Sequence, residues 1–504
     1  LKPFWLKGST RPLSVCAQWE PMPSDPSSVR FAIVAEGSRG DVQPYIALAL
    51  HLQRRGHSVK VFTNIDHVQF TETCGLKASG VLYDAQKGLN QPEVKKAFED
   101  GNAMAVQKAL AAMRLNSMEA DLKALFEALD DFKPSVVGYG LLSLGKCIMY
   151  SIARTVPACR ILLQVMLPVQ DKAPAGLPNL PCNMNRLWFQ LIMMGASKSL
   201  PQMQAAAKAG VGIDFSDTLT MEYFNLFFYD IPSLPAPDFA GVSTAVIPRH
   251  PEWPETNLNI CGFFIIDKET QEGLAKDSAK GAQFGADSHD ELMKFVQAGA
   301  PPVYIGWGSM LCKSAEFMTK TAVEAVQHAG ARAVICAGWA GLSLETTPAE
   351  LRDFCKENVL FVKSAPHEVL FPLCSCIVHH GGSGTCAASV RSGRPTVITP
   401  VMGDQYDFAD GLNRIGCGVG MPQFSRVSGA QLGDAVKKCI EDPAIIAAAK
   451  TAGEKLKAEN GCENFTKAFD EWWSAEFETG KWLEKHQAVM DKSKAASQSN
   501  CVAQ

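Results

Sequence analysis

Residues 376–404 read CIVHHGGSGTCAASVRSGRPTVITPVMGD, and the order of residue types in them decides the fold. Residues 376–379 are a short apolar run rich in β-formers, which predicts a buried strand, and the glycines at 381, 382 and 384 end it abruptly. Residues 385–391 are rich in Ala and Ser and are closed by Gly393, before a second apolar run at 395–399. The unit is therefore strand, glycine turn, helix, strand. Such a turn is suited to an anion. Gly381, Gly382 and Gly384 let the backbone approach a ligand, while the free amides and positive dipole end of the following helix favour a phosphate. Ser383 and Thr385 add hydroxyl donors, and His380 on the lip of the turn offers an imidazole to a diphosphate. Asp404 and Gln405 come just after the next strand, at the same carboxyl edge of the sheet. A carboxylate accepts from two adjacent hydroxyls and an amide both donates and accepts, so the pair suits a hexose ring. Phosphate beside sugar hydroxyls describes a sugar nucleotide.

The first half carries a second unit of the same kind. Residues 29–35 are β-rich, 36–41 are a glycine-containing turn, 42–55 predict a helix ended by Gly56, and 58–63 predict the next strand. The turn GSRGD is not the dinucleotide fingerprint, and no acidic residue closes the following strand, so nicotinamide binding is disfavoured. Asp41 fits two roles. With Pro44 in the first turn it reads as a helix N-cap worth about 1 kcal/mol. It also lies beyond the carboxyl end of the first strand, where a carboxylate can face a ligand cleft.

Outward from these units, 504 residues suffice for two domains with cores of their own. Charge is nearly balanced, 48 basic against 52 acidic side chains, so there is no basic field for nucleic acid. The 16 cysteines are scattered through apolar segments, which suits buried thiols in a reducing compartment and predicts a cytoplasmic protein. No window offers about 18 uninterrupted apolar residues, so the expectation is a protein that is soluble or peripheral to membranes. Residues 1–28 lack the apolar core of a secretory signal and are expected to be a disordered extension.

Residues 91–130 predict surface helices that pack by one face, with Val94, Phe98, Val106, Leu110 and Met113 at helical spacing. Strands are expected at 134–138 and 158–165, and a proline-rich stretch at 231–254 marks the approach to a boundary, giving domains at 29–255 and 256–460. In the second domain, strands at 302–306, 333–337, 358–362 and 419–422 alternate with helices at 317–329 and 428–441. That alternation predicts a mostly parallel sheet covered on both faces. Residues 463–486 are amphipathic and aromatic, and 488–504 are expected to be disordered.

Two metal readings fail at this level. Cys374, Cys376, His379 and His380 are four ligand types in close spacing, but on a strand His379 projects to the face opposite the others. Nor does Asp-x-Asp, a pair able to hold a divalent ion against a diphosphate, occur anywhere in the chain. Neither a metal nor a separate cofactor is expected.

HHGGSGT at 379–385, TPVMGDQ at 399–405, SAPHEVLFP at 364–372, PPVYIGWGSM at 301–310 and GSRGDVQPYIALALHLQRRGH at 37–57 together resemble the family 1 glycosyltransferases. Within them, the likeness is to the sterol 3-β-glucosyltransferase and antibiotic glycosyltransferase branch. It covers about two thirds of the chain in ordered pieces and is poor between about residues 85 and 250.

The resemblance implies an α/β protein of GT-B fold, with two doubly wound Rossmann-like domains facing across a cleft. It also implies inverting, metal-independent transfer of a hexose, glucose above others, from a UDP-sugar to a hydroxyl of an apolar acceptor such as a sterol or other lipid. By the same likeness Asp41 is the base, and Ser38, Arg39 and Gly40 lie near the diphosphate from one side. Ser309, His380, Gly382, Ser383, Gly384 and Thr385 surround it from the other, with His380 and the amides in place of a cation. Trp339, Pro366 and His367 lie near the uracil, Asp404 and Gln405 hold the hexose, and a terminal helix at 461–487 crosses back to the first domain. Residues 185–194 (NRLWFQLIMM), Met203 and 224–228 are the expected acceptor lining. In one place the chain departs from the sterol pattern, carrying Tyr406-Asp407-Phe408 where Pro-Phe-Trp is common. Alternative readings are a polyketide-like acceptor, a sugar-nucleotide 2-epimerase, or a catalytically silent relative that binds lipid or UDP-sugar.

Overall fold

The computed structural model describes residues 29–100, 102–174, 176–277 and 281–502, so the extension expected at 1–28 lies outside the described residues. Seven strands build the first sheet: β1 (Arg30–Ala35), β2 (Ser58–Asn64), β3 (Lys77–Leu82), β4 (Val136–Tyr139), β5 (Ala158–Leu162), β6 (Asp238–Ala240) and β7 (Leu258–Ile260). All their pairings are parallel, in the order β3-β2-β1-β4-β5-β6-β7. Six strands build the second sheet: β8 (Val303–Gly306), β9 (Ala333–Cys336), β10 (Val359–Val362), β11 (Cys376–His379), β12 (Thr396–Ile398) and β13 (Gly418–Gly420). They too are parallel, in the order β10-β9-β8-β11-β12-β13. Strands such as β1 and β11 are apolar and buried along nearly their whole length because helices cover both faces.

Both sheets reverse their winding once, between β1 and β4 in the first and between β8 and β11 in the second. At such switch points the connections leave in opposite directions and open a crevice at the carboxyl ends of the strands. The loops emerging there are 36–38 after β1, 140–143 after β4, 307–310 after β8 and 380–382 after β11.

Two expectations are corrected. The first sheet continues through β7 to Ile260, past the boundary expected at 255/256, because a three-residue strand is too short to show against the prolines before it. Residues 488–504 were expected to be disordered, yet the helix Lys481–Val502 runs through the described part of them. Val489 and Met490 are buried there, and Ser493 Oγ donates to the Thr218 carbonyl at 2.8 Å. A few contacts suffice to hold a segment whose composition is otherwise polar. The helix Pro92–Glu99 packs by one face, as expected, and the face it uses meets the second domain. Val94, Ala97 and Phe98 join the core of the second domain, and the Lys313 amide donates to the Phe98 carbonyl at 3.2 Å.

The helix Gly461–Trp472 packs on the first domain through its aromatic face. Phe469 lies 4.8 Å from Phe31, and Phe465 lies 4.5 Å from Phe239, between ring centroids. Fourteen cysteines among the described residues are free thiols, and of these only Cys182 is exposed. No helix among them is long and apolar enough to cross a membrane.

Candidate functional site

In the second domain the helix Ser383–Arg391 begins two residues earlier than its Ala-rich run suggests, with Gly382 as its N-cap. The first-turn amides of Ser383, Gly384 and Thr385 therefore have no partner within the helix. His379 fixes the turn from beneath. The Gly381 amide donates to its Nδ1 at 3.0 Å, which leaves the ring proton on Nε2 to reach Ser389 Oγ at 3.1 Å. Gly381 itself has φ 98°, and a Cβ there would stand 2.8 Å from Ile398 Cγ2 and 3.0 Å from the Gln405 carbonyl oxygen, so only glycine fits.

His380 lies on the lip, as its position implies. Burial lowers its pKa to about 4, so it is a neutral imidazole at neutral pH rather than a cation. Its buried Nδ1 has no hydrogen-bond partner. Ser309 is buried on the loop after β8, and the Trp339 amide donates to the Gly308 carbonyl at 2.9 Å, stitching that loop to the one after β9. His367, just after Pro366, turns inward: its ring stacks on Phe371 at 4.4 Å and its Nε2 meets Tyr304 Oη at 3.2 Å. The zinc-like quartet does not converge, since Cys374 Sγ is on the Leu370 carbonyl and His379 is spent on the turn.

Asp404 opens the helix Gln405–Ile415 and is partly buried. Burial first, then the charges of Asp41 and Asp407, push its pKa up to about 7, against the pull of the Asp404 and Gln405 amides. Gln405 serves largely as a brace. Its Oε1 accepts from the Val401 and Met402 amides at 2.7 and 3.0 Å, so it holds the loop that presents Asp404 and has little left for a sugar.

From the first domain the helix Arg39–Arg54 points its N-terminus at this turn. Asp41 is not its N-cap. Ser38 is, and Asp41 at the third helical position completes a capping box: Ser38 N and Oγ both donate to Asp41 Oδ2, at 2.8 and 2.9 Å. Its pKa is raised by burial, against the Ser38 hydrogen bonds and the fields of His67 and Arg114. Pro44 sits inside the helix and has no N–H for the Gly40 carbonyl. That carbonyl instead faces Gly384 across the cleft, where an added Cβ would lie 3.6 Å from it.

Arg39 is committed elsewhere than the expected diphosphate contact. Its guanidinium donates to the Gln283 carbonyl at 2.6 Å and lies over the rings of Phe70 and Phe284, tying the domains together. The acceptor lining expected at 185–194 is also corrected. In the helix Arg186–Ser197, Phe189 and Met193 enter the core, while Leu187, Leu191, Ile192 and Met194 face outward. An apolar hollow lies instead between the domains, lined by Phe98, Val106, Leu311, Cys312, Val401 and Met402, beside the Asp404 loop.

Sequence reading missed the supports of the 36–41 loop. Asn64 Oδ1 accepts from the Gly37 amide at 2.9 Å, and His67 Nε2 meets the Gly37 carbonyl at 3.1 Å. Their only signal was polarity at the carboxyl end of an apolar strand. Glu36 is also buried there, in an ion cluster with Lys146.

The Glycosyltransferase family 28 N-terminal domain model matches residues 31–131, and that of the Erythromycin biosynthesis protein CIII-like C-terminal domain matches 320–467. The Sterol 3-beta-glucosyltransferase of Debaryomyces hansenii is 28% identical over 452 residues, 88% of this chain and 27% of its own length. That of Arabidopsis thaliana is 26% identical over 463 residues, 88% of this chain and 65% of its own length. The chain thus spans from about a quarter to just under two thirds of these two relatives. The crystal structure of the glycotransferase of kitacinnamycin superimposes with a TM-score of 0.60 at 19% identity, covering 88% of this chain and 99% of that one. The chain has the GT-B fold, and its sequence is similar to that of the sterol 3-beta-glucosyltransferases and to the two domain models.

Proposed function

We propose that the chain transfers a hexose, glucose foremost, from a UDP-sugar to a hydroxyl of an apolar acceptor of the sterol or lipid class, with inversion and without a metal. One observation carries the reading: two helix N-termini face each other across the cleft, one bearing Asp41 and the other the free amides beside His380 and Asp404. The amides of Ser383, Gly384 and Thr385 would bind the diphosphate, and neutral His380 would donate to it through an imidazole N–H. Trp339, Pro366 and His367 would border the uracil, Ser309 would lie on the phosphate side, and Asp404 would accept from the hexose hydroxyls. Asp41, raised in pKa, would take the proton of the acceptor hydroxyl as its oxygen attacks the anomeric carbon. The bond from that carbon to the diphosphate oxygen then breaks on the opposite side, and UDP leaves with the electron pair. The absence of Asp-x-Asp from the sequence supports a reaction in which the amides stabilise the departing charge.

The test is incubation with UDP-glucose and a panel of sterols, other lipids and polyketides, reading product masses. A hexose adduct on sterols or lipids, undiminished in excess EDTA, is expected. Adducts on small polar acceptors alone would overturn the acceptor class, and UDP binding with no acceptor-dependent UDP release would leave a silent relative.

Gly384 gives a graded check. An alanine Cβ would make ordinary contacts of 3.6 Å to the Gly40 oxygen and 3.8 Å to Pro44 Cγ, whereas a branched side chain would fill the gap where the diphosphate is bound. Calorimetry should find UDP affinity within about threefold for Gly384→Ala and weakened by about tenfold or more for Gly384→Val.

A further inference from the structure

The outward face of the helix Arg186–Ser197 has no use in the cleft, and with Met184 it gathers five of the twelve exposed large apolar side chains among the described residues. Met184 is 47% exposed, Leu191 56%, Ile192 48% and Met194 62%, with Leu187 beside them and no charged side chain between Leu187 and Ser197. Clustered rather than scattered apolar exposure marks a surface that something covers. The opposite face is fixed, since Phe189 and Met193 are buried and Trp188 Nε1 donates to the Pro178 carbonyl at 3.0 Å.

We propose that this face lies in the interfacial layer of a lipid bilayer, with its apolar side chains among the acyl chains and the cleft mouth held at the membrane surface. Two observations select a bilayer over a protein. The first is charge. No Asp or Glu occurs between Lys172 and Ile213, although acidic residues make up 52 of the chain's 504, and Lys172, Arg186, Lys198 and Lys208 all fall in that stretch. Lys172, Arg186 and Lys208 are answered by Asp407, Glu252 and Asp214, all outside it. Lys198, one residue past the helix, makes no ion pair among the described residues and stands at the level where anionic headgroups would meet it. A surface-lying helix is an apolar face flanked by cationic groups, and the run from Leu187 to Ser197 carries no acidic side chain of its own to repel the leaflet.

The second observation is continuity with the site. Asn185, at the start of the helix, holds the preceding loop through Nδ2 to the Gln170 carbonyl at 2.9 Å and through Oδ1 from the Leu180 amide at 2.8 Å. That loop reaches the second domain, where Lys172 pairs with Asp407 at 2.5 Å and Gly176 packs against the Tyr406 ring, immediately beyond Asp404 and Gln405. A helix resting on the bilayer therefore sets the sugar-holding loop beside the source of an apolar acceptor. In this the inference rests on the lipid-acceptor reading, but its test does not.

Wild-type protein should co-sediment with phosphatidylcholine vesicles without any substrate, more strongly when phosphatidylserine is included. Leu191→Glu combined with Met194→Glu should lower partitioning at least about tenfold. UDP affinity by calorimetry should stay within about twofold, which reports that the fold survives. If the double variant fails to fold, hydrogen exchange of the wild type decides, with vesicles protecting residues 186–197 above all others. Vesicle binding without sugar transfer would sink the lipid-acceptor reading and leave the membrane face standing. No vesicle binding, equal binding by the folded variant, or no added protection at 186–197 would overturn it. So would a wild-type dimer that the double variant dissolves, because a second copy would then be what covers the face.

Discussion

Asp41→Asn should lower kcat by roughly a hundredfold or more while UDP affinity stays within a few-fold. Asn keeps a side-chain oxygen able to accept from the Ser38 amide, so the start of the helix Arg39–Arg54 survives and only the proton-accepting carboxylate is lost. Steady-state turnover and calorimetry on the same preparation separate the two effects. Loss of both together would mean that Asp41 is a brace for the loop and that the base lies elsewhere. Turnover within a few-fold of wild type would leave it only the capping box. A second readout follows from Asp404, whose pKa is pushed up to about 7 by burial and by the charges of Asp41 and Asp407. An acid held above its ordinary value keeps a proton in the native state that the unfolded state has already lost. Native stability therefore falls as pH rises from about 4 to about 7. Without the Asp41 charge, that fall should be shallower in thermal-shift measurements.

The second domain was legible nearly residue by residue, because its strands are short apolar runs ended by glycine and its helices are closed by familiar signals. Strand β11 runs over 376–379 as its composition dictates, and the turn after it follows from His380 onward. The first domain was less so, for three physical reasons. At Asp41 the residue preceding an apolar run fits an N-cap, but Ser-x-x-Asp is itself a capping box, and it starts the helix three residues sooner. At 185–194 apolar spacing shows that a helix has a greasy face without showing what covers it, so a face turned outward reads like one turned to a core or ligand. At Gln405 the residue type suits a sugar, but two backbone amides of its own loop claim the oxygen first. Local pattern records what a side chain can do, and the fold decides which partner reaches it.

The buried ion cluster beneath the 36–41 loop had almost no sequence signal, since Lys146 is one cation in the otherwise uncharged run LGKCIMYS. Lys146 Nζ lies 2.9 Å from Glu36 Oε2 and 3.0 Å from Asp121 Oδ2, with the lysine and Glu36 side chains 1% and 0% exposed. Ser143 Oγ donates to Glu36 at 2.9 Å and Ser117 Oγ to Asp121 at 2.9 Å, while Glu36 Oε1 has no partner. Burial works against the lysine's charge, but Glu36 and Asp121 outweigh it and hold its pKa above the ordinary value. One cation is thus shared by two carboxylates inside the sheet edge that carries the 36–41 loop.

Lys146→Met should therefore destabilise the chain by about 3 kcal/mol or more at pH 7.5, because it preserves volume but strands two acids in a site with little water. Urea denaturation followed by near-ultraviolet circular dichroism would measure the loss. The pH dependence identifies its cause. Stranded carboxyls are held above their ordinary pKa, so the native variant takes up protons that its unfolded chain has released, and its deficit should shrink as pH falls toward 5.5. Adding Glu36→Gln and Asp121→Asn should restore most of the stability at pH 7.5, since no buried charge then remains unpaired. A deficit that is the same at both pH values would show that Lys146 contributes packing alone. If the triple variant is stable yet turns over slowly with UDP affinity intact, the cluster's role is to hold Gly37, Ser38 and Asp41 in register with the cleft, since Glu36 is the residue from which that loop departs.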